Sequence, residues 1–311
     1  MEKWLDNTKI SSWERCPREF FLRHCLHLTK EDRGSVATEF GKAFHLACEL
    51  VFTGTPLESA LNEAVRTFKE SLLSLMESAE ADSLYEDGRS DPDTLLRSLH
   101  YFFTSGAGSE LLGVLKHSQT ELQLTYSDPE IGWDLLARID LLGETHSGTV
   151  LLVDFKTTGW NLRSWGAKIL TDTQLQTYAL VVTSVTSRKV DAGAYAVLQV
   201  QRRRLRSGAF SPNISLDSAL FPLALTEDHL QRAKDRFKQT AKALEQAWES
   251  RSFPCVWSSC SRMNGVCQFH PLCERFWKAE LSKEEEQIRE VAFSLGFVEQ
   301  RWDPFDVGGG K

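Results

Sequence analysis

Apolar residues recur at helical spacing through the first third of the chain, and this pattern predicts a series of amphipathic helices. In the first of them Ser11 or Ser12 can cap the helix start, whereas Pro17 indicates that the helix is short, broken or begins there. The predicted helices span residues 9–28, 37–52, 57–80 and 91–115. We therefore expect a largely helical N-terminal region.

From residue 119 onward the pattern changes to the alternation of polar and apolar residues that is typical of β-strands. A helix is predicted at 171–186 and a long amphipathic helix at 226–250. The predicted strands are 119–127, 133–143, 149–157 and 190–201. Strands and helices that follow one another without an internal repeat predict a single α/β fold with helical insertions.

Composition narrows the class of protein only slightly. Hydrophobic residues make up 41% and charged residues 25% of the chain, which is ordinary for a globular protein. No apolar run in the sequence approaches the roughly 18–20 residues that a membrane-spanning helix requires. The first residues lack the basic and then apolar order of a secretion signal. We therefore expect a cytoplasmic protein without a membrane partner.

The net charge of −7 weighs mildly against a nucleic-acid partner, because phosphate binding favours positive surface. A cleft rich in carboxylates also lowers the net charge, however, and can still bind phosphate through a metal ion. One basic cluster follows the predicted strand 190–201, where it could bind DNA phosphates or form a solvated loop. It consists of Arg202, Arg203, Arg204 and Arg206.

The most informative segment is a pair of predicted strands that carry aspartates. Asp140 ends the run Leu-Ala-Arg-Ile-Asp, and Asp154 and Lys156 belong to the run Val-Asp-Phe-Lys on the next strand. Aspartates in apolar strands cost free energy unless they have a role. A spacing of two places Asp154 and Lys156 on one face of their strand, and Asp140 on the neighbouring strand can reach the same point.

Two carboxylates beside an ammonium group are suited to metal-assisted hydrolysis. Mg²⁺ or Mn²⁺ prefers oxygen ligands and keeps several waters. A bound water is easier to deprotonate, and the cation neutralises charge on a scissile phosphate. Lys156 would orient that water or stabilise the transition state. The alternative is a structural Asp–Lys ion pair at a sheet edge, which a bare Asp-x-Lys motif also permits.

This arrangement resembles the PD-(D/E)XK nuclease superfamily and, within it, the RecB-like exonuclease branch. The resemblance implies an α/β, restriction-endonuclease-like core with a central mixed β-sheet flanked by helices. It also implies that Asp140 and Asp154 are metal ligands and that Lys156 is the catalytic lysine. The backbone carbonyl of Phe155 would complete the protein's share of the metal coordination.

Three further elements resemble the same branch. The Gly-x-x-x-His element ends at His45, which would bind the metal, with Mn²⁺ better suited to imidazole than Mg²⁺; the alternative is a core histidine. Gln174 and Tyr178 share a helix face and resemble the Gln-x-x-x-Tyr element that follows the lysine; the alternative is a polar helix stripe. Glu121 would contact the metal or a water bound to it, or else be a solvated strand residue.

Seven cysteines are unevenly distributed along the chain. Cys25 and Cys48 are expected to pack in the core. In a reducing cytosol, a late cluster on a loop with Gly and Pro predicts metal binding rather than disulfides. From the residues alone, the simplest site is tetrahedral zinc held by Cys255, Cys260, Cys267 and Cys273.

The cysteine pattern also resembles the iron–sulfur exonucleases, such as the AddB nuclease domain and the CRISPR-adaptation exonucleases. The resemblance implies a [4Fe–4S] cluster in which Cys16 is the N-terminal ligand and Cys255 is left over. The three C-terminal ligands would be Cys260, Cys267 and Cys273. Such a cluster closes a very long loop and thereby lowers the entropy of the unfolded chain. Zinc remains the alternative.

We therefore expect a single PD-(D/E)XK nuclease domain over residues 1–280. It would contain a helical insertion at 57–115 and the cysteine cluster at 255–273, closing onto Cys16. A C-terminal helix and flexible tail would occupy 281–311.

The implied function is metal-dependent exonucleolytic hydrolysis of DNA, on single-stranded ends, in recombination, repair, or CRISPR or phage DNA processing. The alternatives are a structure-selective endonuclease of the same superfamily and a non-catalytic DNA-binding scaffold. The sequence contains no helicase phosphate-binding loop, so unwinding would require a helicase or a recombination or CRISPR protein as partner.

Overall fold

The computed structural model describes residues 2–30, 35–78, 89, 91–169, 171–204, 210–262, 265–276 and 285–305. The N-terminal elements are β1 (Trp4–Leu5), α1 (Asn7–Arg15), α2 (Pro17–Phe20), a π-helix (Phe21–Cys25) and β2 (Leu28–Lys30). Four helices follow, namely α3 (Val36–Phe52), α4 (Leu57–Ser78), α5 (Pro92–Ser105) and α6 (Ala107–Val114).

The central part of the chain is richest in strands. It contains β3 (Leu115–Asp128), β4 (Trp133–Thr145), β5 (Val150–Thr158), α7 (Leu162–Ile169), α8 (Gln174–Thr186), β6 (Ala192–Arg204) and β7 (Phe210–Ala224). The C-terminal elements are α9 (Glu227–Glu249), a 3₁₀ turn (Trp257–Ser259), β8 (Ser261–Arg262), β9 (Gly265–Val266), α10 (His270–Arg275), α11 (Glu285–Ser294) and β10 (Phe297–Glu299).

The chain forms two compact units. The first comprises Met1–Asp32, Gln123–Arg138 and Asp228–Lys311, and the second comprises Arg33–Leu122 and Ile139–Glu227. Among the described residues, no helix combines the length and the apolar character needed to cross a membrane.

The second unit is built on a mixed sheet in which β4, β5, β6 and β7 follow one another, and β3 also pairs with β4. The β4–β5 and β6–β7 pairs are antiparallel, whereas β5 and β6 are parallel. A parallel pair needs a crossover connection, and α7 and α8 supply it. The sheet is therefore mixed, as predicted.

Helix α3 illustrates how the apolar pattern packs this unit. Ser35 caps its start by accepting the N–H of Thr38 at 3.1 Å. Phe44 packs with its ring centroid 4.9 Å from that of Phe102 on α5 and 6.2 Å from that of Phe155 on β5. Burying each such ring stabilises the fold by about 2–3 kcal/mol. The helix is thus fixed against the strand that carries two of the predicted site residues.

The first unit has a smaller core of its own. The N–H of Lys9 donates to Asp6, which caps α1, at 2.6 Å. Helix α1 ends before Cys16, which has an extended conformation, and α2 begins at Pro17. The core contains apolar residues from both ends of the chain, including Phe21, Phe253 and Phe269. Two short antiparallel pairs, β2–β10 and β8–β9, complete this unit.

Several elements differ from the sequence prediction. The region 9–28 forms α1, α2 and a π-helix instead of one helix, with the break at the predicted proline. The region 91–115 forms two helices, because Gly106 has an extended conformation between them. A Cβ atom at Gly106 would lie 2.9 Å from the Cβ of Ser218, so a larger residue does not fit there without rearrangement.

Strand β7 and the short strands and helix α7 were not predicted. Strand β7 is the last strand of the sheet and therefore an edge strand, and its Pro222 lies opposite Ala194. An edge strand tolerates proline because its outward-facing amides need no partner. The C-terminal helix predicted within residues 281–311 corresponds to α11. The predicted flexible tail lies largely beyond the described residues, which end at 305.

Candidate active site

Strands β4 and β5 bring the two predicted aspartates together. Their antiparallel ladder extends to Leu141 opposite Val153, and Asp140 and Asp154 are the next residues on each strand. The Oδ2 atom of Asp140 accepts the N–H of Phe155 at 2.8 Å. A carboxylate of β4 thus binds a backbone amide of β5, which fixes its position where the ladder ends.

The spacing of two on β5 has the predicted effect. Phe155 turns into the core and is 1% exposed. Asp154 and Lys156 lie on the other face, and the Nζ atom of Lys156 is 2.6 Å from the Oδ2 atom of Asp154. The alternation of side chains along a strand explains this placement.

Asp154 is buried, and its charge is not fully compensated by the protein. Burial raises its pKa, the charge of Lys156 opposes this effect and the charge of Asp140 adds to it, so that the pKa of Asp154 is about 6. The Oδ2 atom of Asp154 contacts the Lys156 ammonium at 2.6 Å and has no other hydrogen-bond donor among the described residues. A buried carboxylate oxygen in this state is suited to bind a cation.

Lys156 keeps its charge despite its surroundings. Burial lowers the pKa of the ammonium group, but the charges of Asp154 and Asp140 outweigh this effect and leave the pKa above its ordinary value. The side chain of Lys156 is 33% exposed, so it remains accessible from solvent. The pair therefore presents a cation next to a buried anion at the surface of the unit.

His45 lies on α3 next to this pair. Its Nδ1 atom is 3.5 Å from the Oδ2 atom of Asp140. Its ring packs edge-on against Phe155, with ring centroids 6.3 Å apart. Phe155 thus anchors β5 in the core and also contacts the ring of His45.

Glu121 completes a group of three metal-binding side chains. Ligand atoms of His45, Glu121 and Asp140 all lie within 4.8 Å of one another. Glu121 adopts a left-handed conformation, with φ of 51°, in the middle of β3. This conformation costs a residue other than glycine about 1–3 kcal/mol, and it occurs where a side chain must be directed to a site. Asp154 is not part of the group of three, since its carboxylate contacts Lys156.

These residues fit a divalent cation. Two carboxylates and an imidazole are ligands that Mn²⁺ accepts, and carboxylates suit Mg²⁺. Asp154 stays a predicted further ligand, since it lies next to Asp140 across the β4–β5 pair and each carboxylate affects the other's charge. We refer to His45, Glu121, Asp140, Asp154 and Lys156 as the acidic cluster. The carbonyl of Phe155 stays a predicted ligand.

The first turns of helix α8 contain Gln174 and Tyr178, the two polar residues predicted from the sequence. The Nε2 group of Gln174 donates to the hydroxyl oxygen of Tyr178 at 2.7 Å, so the two side chains form a pair. Two neighbours were missed from the sequence. Asp172 accepts the N–H of Gln174 at 2.8 Å and the hydroxyl of Tyr195 at 2.7 Å. Tyr195 lies opposite Asp154 in the β5–β6 register, which only the strand pairing reveals.

The predicted DNA-binding arginines are only partly described. Arg202 lies at the end of β6, where its guanidinium donates to Thr94 at 3.3 Å and is 3.6 Å from the carboxylate of Asp91. Arg202 is therefore engaged at the start of α5. The side chains of Arg203 and Arg204 and the whole of Arg206 lie outside the described residues.

The first unit gathers the cysteines from both ends of the chain. The Sγ atom of Cys16 accepts the N–H of Val256 at 3.4 Å. The thiol of Cys255 forms hydrogen bonds with those of Cys260 and Cys273. The N–H of Cys267 donates to the carbonyl of Cys260 at 2.8 Å. We refer to Cys16, Cys255, Cys260, Cys267 and Cys273 as the cysteine cluster.

Arg18 joins the same two chain segments without any metal. Its Nε group donates to the carbonyl of Phe253 at 3.1 Å, and its Nη1 group donates to that of Phe276 at 2.7 Å. Its backbone N–H also donates to Pro254 at 3.2 Å. The buried guanidinium therefore holds Cys16 near the C-terminal cysteines.

Burial raises the pKa values of two thiols of the cysteine cluster. Burial raises the pKa of Cys255 to about 11, and nearby thiolate charge on Cys16 or Cys260 would raise it further. Burial likewise raises the pKa of Cys273. These two thiols are therefore protonated in the absence of a metal, and metal binding must displace their protons. Cysteine thiolates fit a soft metal centre, and the thiols of Cys16, Cys260 and Cys273 lie near that of Cys255.

A family profile of the PD-(D/E)XK nuclease superfamily matches residues 7–274 of the chain. The match covers most of the sequence, and the chain belongs to this superfamily. The mixed sheet flanked by helices is accordingly the predicted restriction-endonuclease-like core. The predicted superfamily and the predicted fold class are both confirmed. Nucleases of this superfamily generally use divalent metal ions and act on DNA, and the group of His45, Glu121 and Asp140 is a possible site for such an ion.

Solved structures resemble the chain only distantly. A proposed exonuclease from Eubacterium rectale is 10% identical, with a TM-score of 0.47, over 86% of this chain and 90% of its own. The protein SSO0001 is 12% identical, with a TM-score of 0.29, over 77% of both chains. LHK-Exo, crystallised with dAMP, is 13% identical, with a TM-score of 0.28, over 69% of this chain and 93% of its own. No curated protein matches the chain.

Proposed function

We propose that the chain is a metal-dependent DNA exonuclease that hydrolyses phosphodiester bonds at single-stranded ends. The observation that carries the proposal is the acidic cluster, in which His45, Glu121 and Asp140 converge beside the buried Asp154–Lys156 pair. Every group that metal-assisted hydrolysis requires is present in one accessible place. A scaffold without activity would gain nothing from a buried carboxylate whose pKa burial raises to about 6.

Each residue has a distinct role in this proposal. His45, Glu121, Asp140 and Asp154 would hold a Mg²⁺ or Mn²⁺ ion, with the Phe155 carbonyl as a further ligand. The bound ion would lower the pKa of a coordinated water and neutralise charge on the phosphate. Lys156 holds its ammonium group beside Asp154 and stabilises the negative charge that develops on the phosphoryl oxygens.

Gln174 and Tyr178 are proposed to position the substrate. Their mutual hydrogen bond orients both polar ends at the start of α8. Asp172 fixes this helix start through its bonds to the Gln174 N–H and the Tyr195 hydroxyl. The arginines after β6 are proposed to contact DNA phosphates.

A cleavage assay tests both the activity and its direction. Linear single strands labelled at either end are compared with circular single strands, in the presence of Mg²⁺ or Mn²⁺. An exonuclease shortens the linear strands and leaves the circles intact, whereas cleavage of circles would establish the endonuclease alternative. Asp154→Asn should abolish cleavage, and Asp217→Asn, an exposed aspartate on β7, should leave it unchanged. Equal activity in both variants would rule the proposed site out.

We further propose that the cysteine cluster holds a [4Fe–4S] cluster through Cys16, Cys260, Cys267 and Cys273. Zinc held by Cys255, Cys260, Cys267 and Cys273 is the alternative. Four thiolates on one zinc ion at about 2.3 Å would lie within about 4 Å of one another. Among the described residues, no three cysteine sulfurs are within 4.8 Å of one another, and the wider spacing of an iron–sulfur cluster suits them better.

Two variants separate these alternatives by metal content. In protein purified without oxygen, Cys16→Ser should lose iron and sulfide, whereas Cys255→Ser should retain them. Stoichiometric zinc that survives in Cys16→Ser and is lost in Cys255→Ser would establish the zinc site instead.

Cysteines that are not joined in disulfides agree with the reducing cytoplasm as the proposed place of action.

A further inference from the structure

The first unit contains a cavity of about 440 Å³ that neither the acidic cluster nor the cysteine cluster explains. Its walls are mainly aromatic and include Trp4, Phe20, Trp133 and Trp248. Trp248 is 39% exposed, so the cavity can be reached from solvent. Cavities of about 300–1,000 Å³ with aromatic walls and a few polar groups are typical of small-molecule sites.

One polar residue of the cavity, His24, has no hydrogen-bond partner in the part of the chain that the structure describes. His24 is 7% exposed, and neither of its ring nitrogens has a hydrogen-bond partner among the described residues. The same holds for the Nδ1 atom of His27, which also lines the cavity. Buried polar groups are almost always hydrogen-bonded. These imidazoles therefore indicate a ligand that supplies the missing hydrogen bonds.

The backbone around these histidines is unusual in two respects. His24 belongs to the π-helix Phe21–Cys25, a conformation that is rare and occurs frequently at functional sites. His27 has a φ of 57°, in the left-handed region that residues other than glycine seldom adopt. The chain thus maintains two costly local conformations where the unpaired imidazoles meet the cavity.

The charge of the lining restricts the ligand. The ammonium group of Lys9 lies 2.9 Å from the centroid of the Trp4 ring and 3.8 Å from the carboxylate of Glu2. Burial lowers the pKa of this ammonium group to about 8 against the charges of Asp6 and Glu2, so the cation of the lining is weakened and already has an acidic neighbour, which disfavours a phosphate. His24, Cys25 and His27 do not bring their ligand atoms within 4.8 Å of one another, so no preformed metal site is present in this described segment.

The remaining chemistry is that of a neutral, planar ring. Burial lowers the pKa of His24 to about 2, with a smaller contribution from the charge of Lys9, so its imidazole is neutral. A neutral imidazole offers one hydrogen-bond donor and one acceptor. The edge of a nucleobase offers the same combination, and its face stacks on tryptophan.

We propose that this cavity binds a purine or pyrimidine base, which packs against its aromatic walls, with Trp248 as the exposed tryptophan, and forms hydrogen bonds with His24. The proposal rests on the proposed function only in that a DNA nuclease meets bases in its substrate and its products. The base can come from a mononucleotide product or from a nucleotide of a DNA strand.

Fluorescence of 2-aminopurine tests the proposal. The free deoxynucleoside and oligonucleotides with 2-aminopurine at the 5′ end, the 3′ end or the middle are titrated with the protein, without added divalent metal. Stacking on tryptophan should quench the fluorescence. Quenching of the free nucleoside alone identifies a product site, and quenching within an oligonucleotide identifies a site for the strand. Inorganic phosphate should not compete.

The variant His24→Leu separates ligand binding from structure. It removes both unpaired nitrogens at similar volume, so affinity should fall at least tenfold while the thermal midpoint stays equal or rises. His146→Leu, an exposed histidine in the turn after β4, should change neither.

Four results would overturn the proposal: no quenching with the natural protein, unchanged affinity in His24→Leu, competition by phosphate, or bound zinc that His24→Leu releases. Because binding is measured without metal, failure of this inference is distinguishable from failure of DNA cleavage.

Discussion

The acidic cluster and the cysteine cluster are both candidate metal sites, yet they differ in donor chemistry and in access to solvent. In the acidic cluster the side chains of His45 and Lys156 are 32% and 33% exposed. In the cysteine cluster, Cys16, Cys267 and Cys273 are at most 8% exposed. The first presents oxygen and imidazole ligands at a surface, and the second encloses thiols in an apolar core.

This difference indicates two different uses of a metal. An open site lets water and substrate reach the ion and lets the ion exchange, as catalysis requires, whereas a closed thiolate site holds its metal for stability. Protons compete with the metal at both sites, because burial raises the pKa of Asp154 to about 6 and that of Cys255 to about 11. At neutral pH the thiol of Cys255 therefore stays protonated unless a metal displaces its proton, whereas the carboxylate of Asp154 is already largely ionised.

The largest effect is expected at the acidic cluster. Lys156→Ala removes the cation next to Asp154 and next to the developing phosphate charge, so the cleavage rate should fall about 10³-fold, or ~4 kcal/mol. The folded structure should persist. Rates measured at saturating Mn²⁺ check this, with Lys189→Ala, an exposed lysine after α8, as the matched control. A decrease of less than tenfold would exclude a catalytic role for Lys156.

The cysteine cluster should respond in stability instead. Cys273→Ala removes a buried metal ligand, so the free energy of unfolding should fall by about 3 kcal/mol, with loss of bound metal. Cys48→Ala is the control, since Cys48 is fully buried on α3 outside the cluster. It should cost about 1 kcal/mol through packing and leave the metal content unchanged. Equal stability losses with unchanged metal would contradict the metal-binding role.

The pH dependence of the metal-free protein sharpens the contrast further. Because the folded pKa of Asp154 is about 6 and its ordinary value is 3.8, the folded state holds this proton more tightly. The contribution to stability is fully present below pH 3.8 and is lost as pH rises through about 6, by about 3 kcal/mol.

Thermal unfolding between pH 4 and pH 7, with loosely bound divalent ions removed, measures this effect. Asp154→Asn should remove this contribution, and added Mn²⁺ should restore the stability of the natural protein at pH 7. A pH profile identical in both proteins would show that Asp154 is not the group that titrates.

The smallest effect concerns Glu121. Glu121→Gln should weaken Mn²⁺ binding about tenfold, because it replaces a carboxylate by a neutral amide. Glu121→Gly should weaken it similarly, yet stabilise the metal-free fold by about 1 kcal/mol, since glycine adopts the observed φ of 51° without strain. Calorimetric titration and thermal unfolding check both variants. Unchanged affinity in both would place Glu121 outside the metal site.

Much of the acidic cluster could be predicted from local sequence. The alternation along β5 places Asp154 and Lys156 on one face, and helical spacing turns Phe44 toward the core next to His45. Asp172 and Tyr195 could not be predicted, because their contact depends on the start of α8 and on the β5–β6 register. Strand β7 was missed because its prolines and polar residues disguise an edge strand.

The sequence by itself determined the superfamily, the mixed α/β architecture and the aspartate–lysine pair. The superfamily and the architecture follow from the resemblance of the motifs, whereas the pair follows from a short-range rule, since backbone geometry fixes which neighbours share a face of a strand. Only the tertiary structure decided that Glu121 joins His45 and Asp140, that Cys255 lies among the other cysteines, and that His24 faces an aromatic cavity. Those placements depend on packing between distant chain segments, which no local spacing encodes.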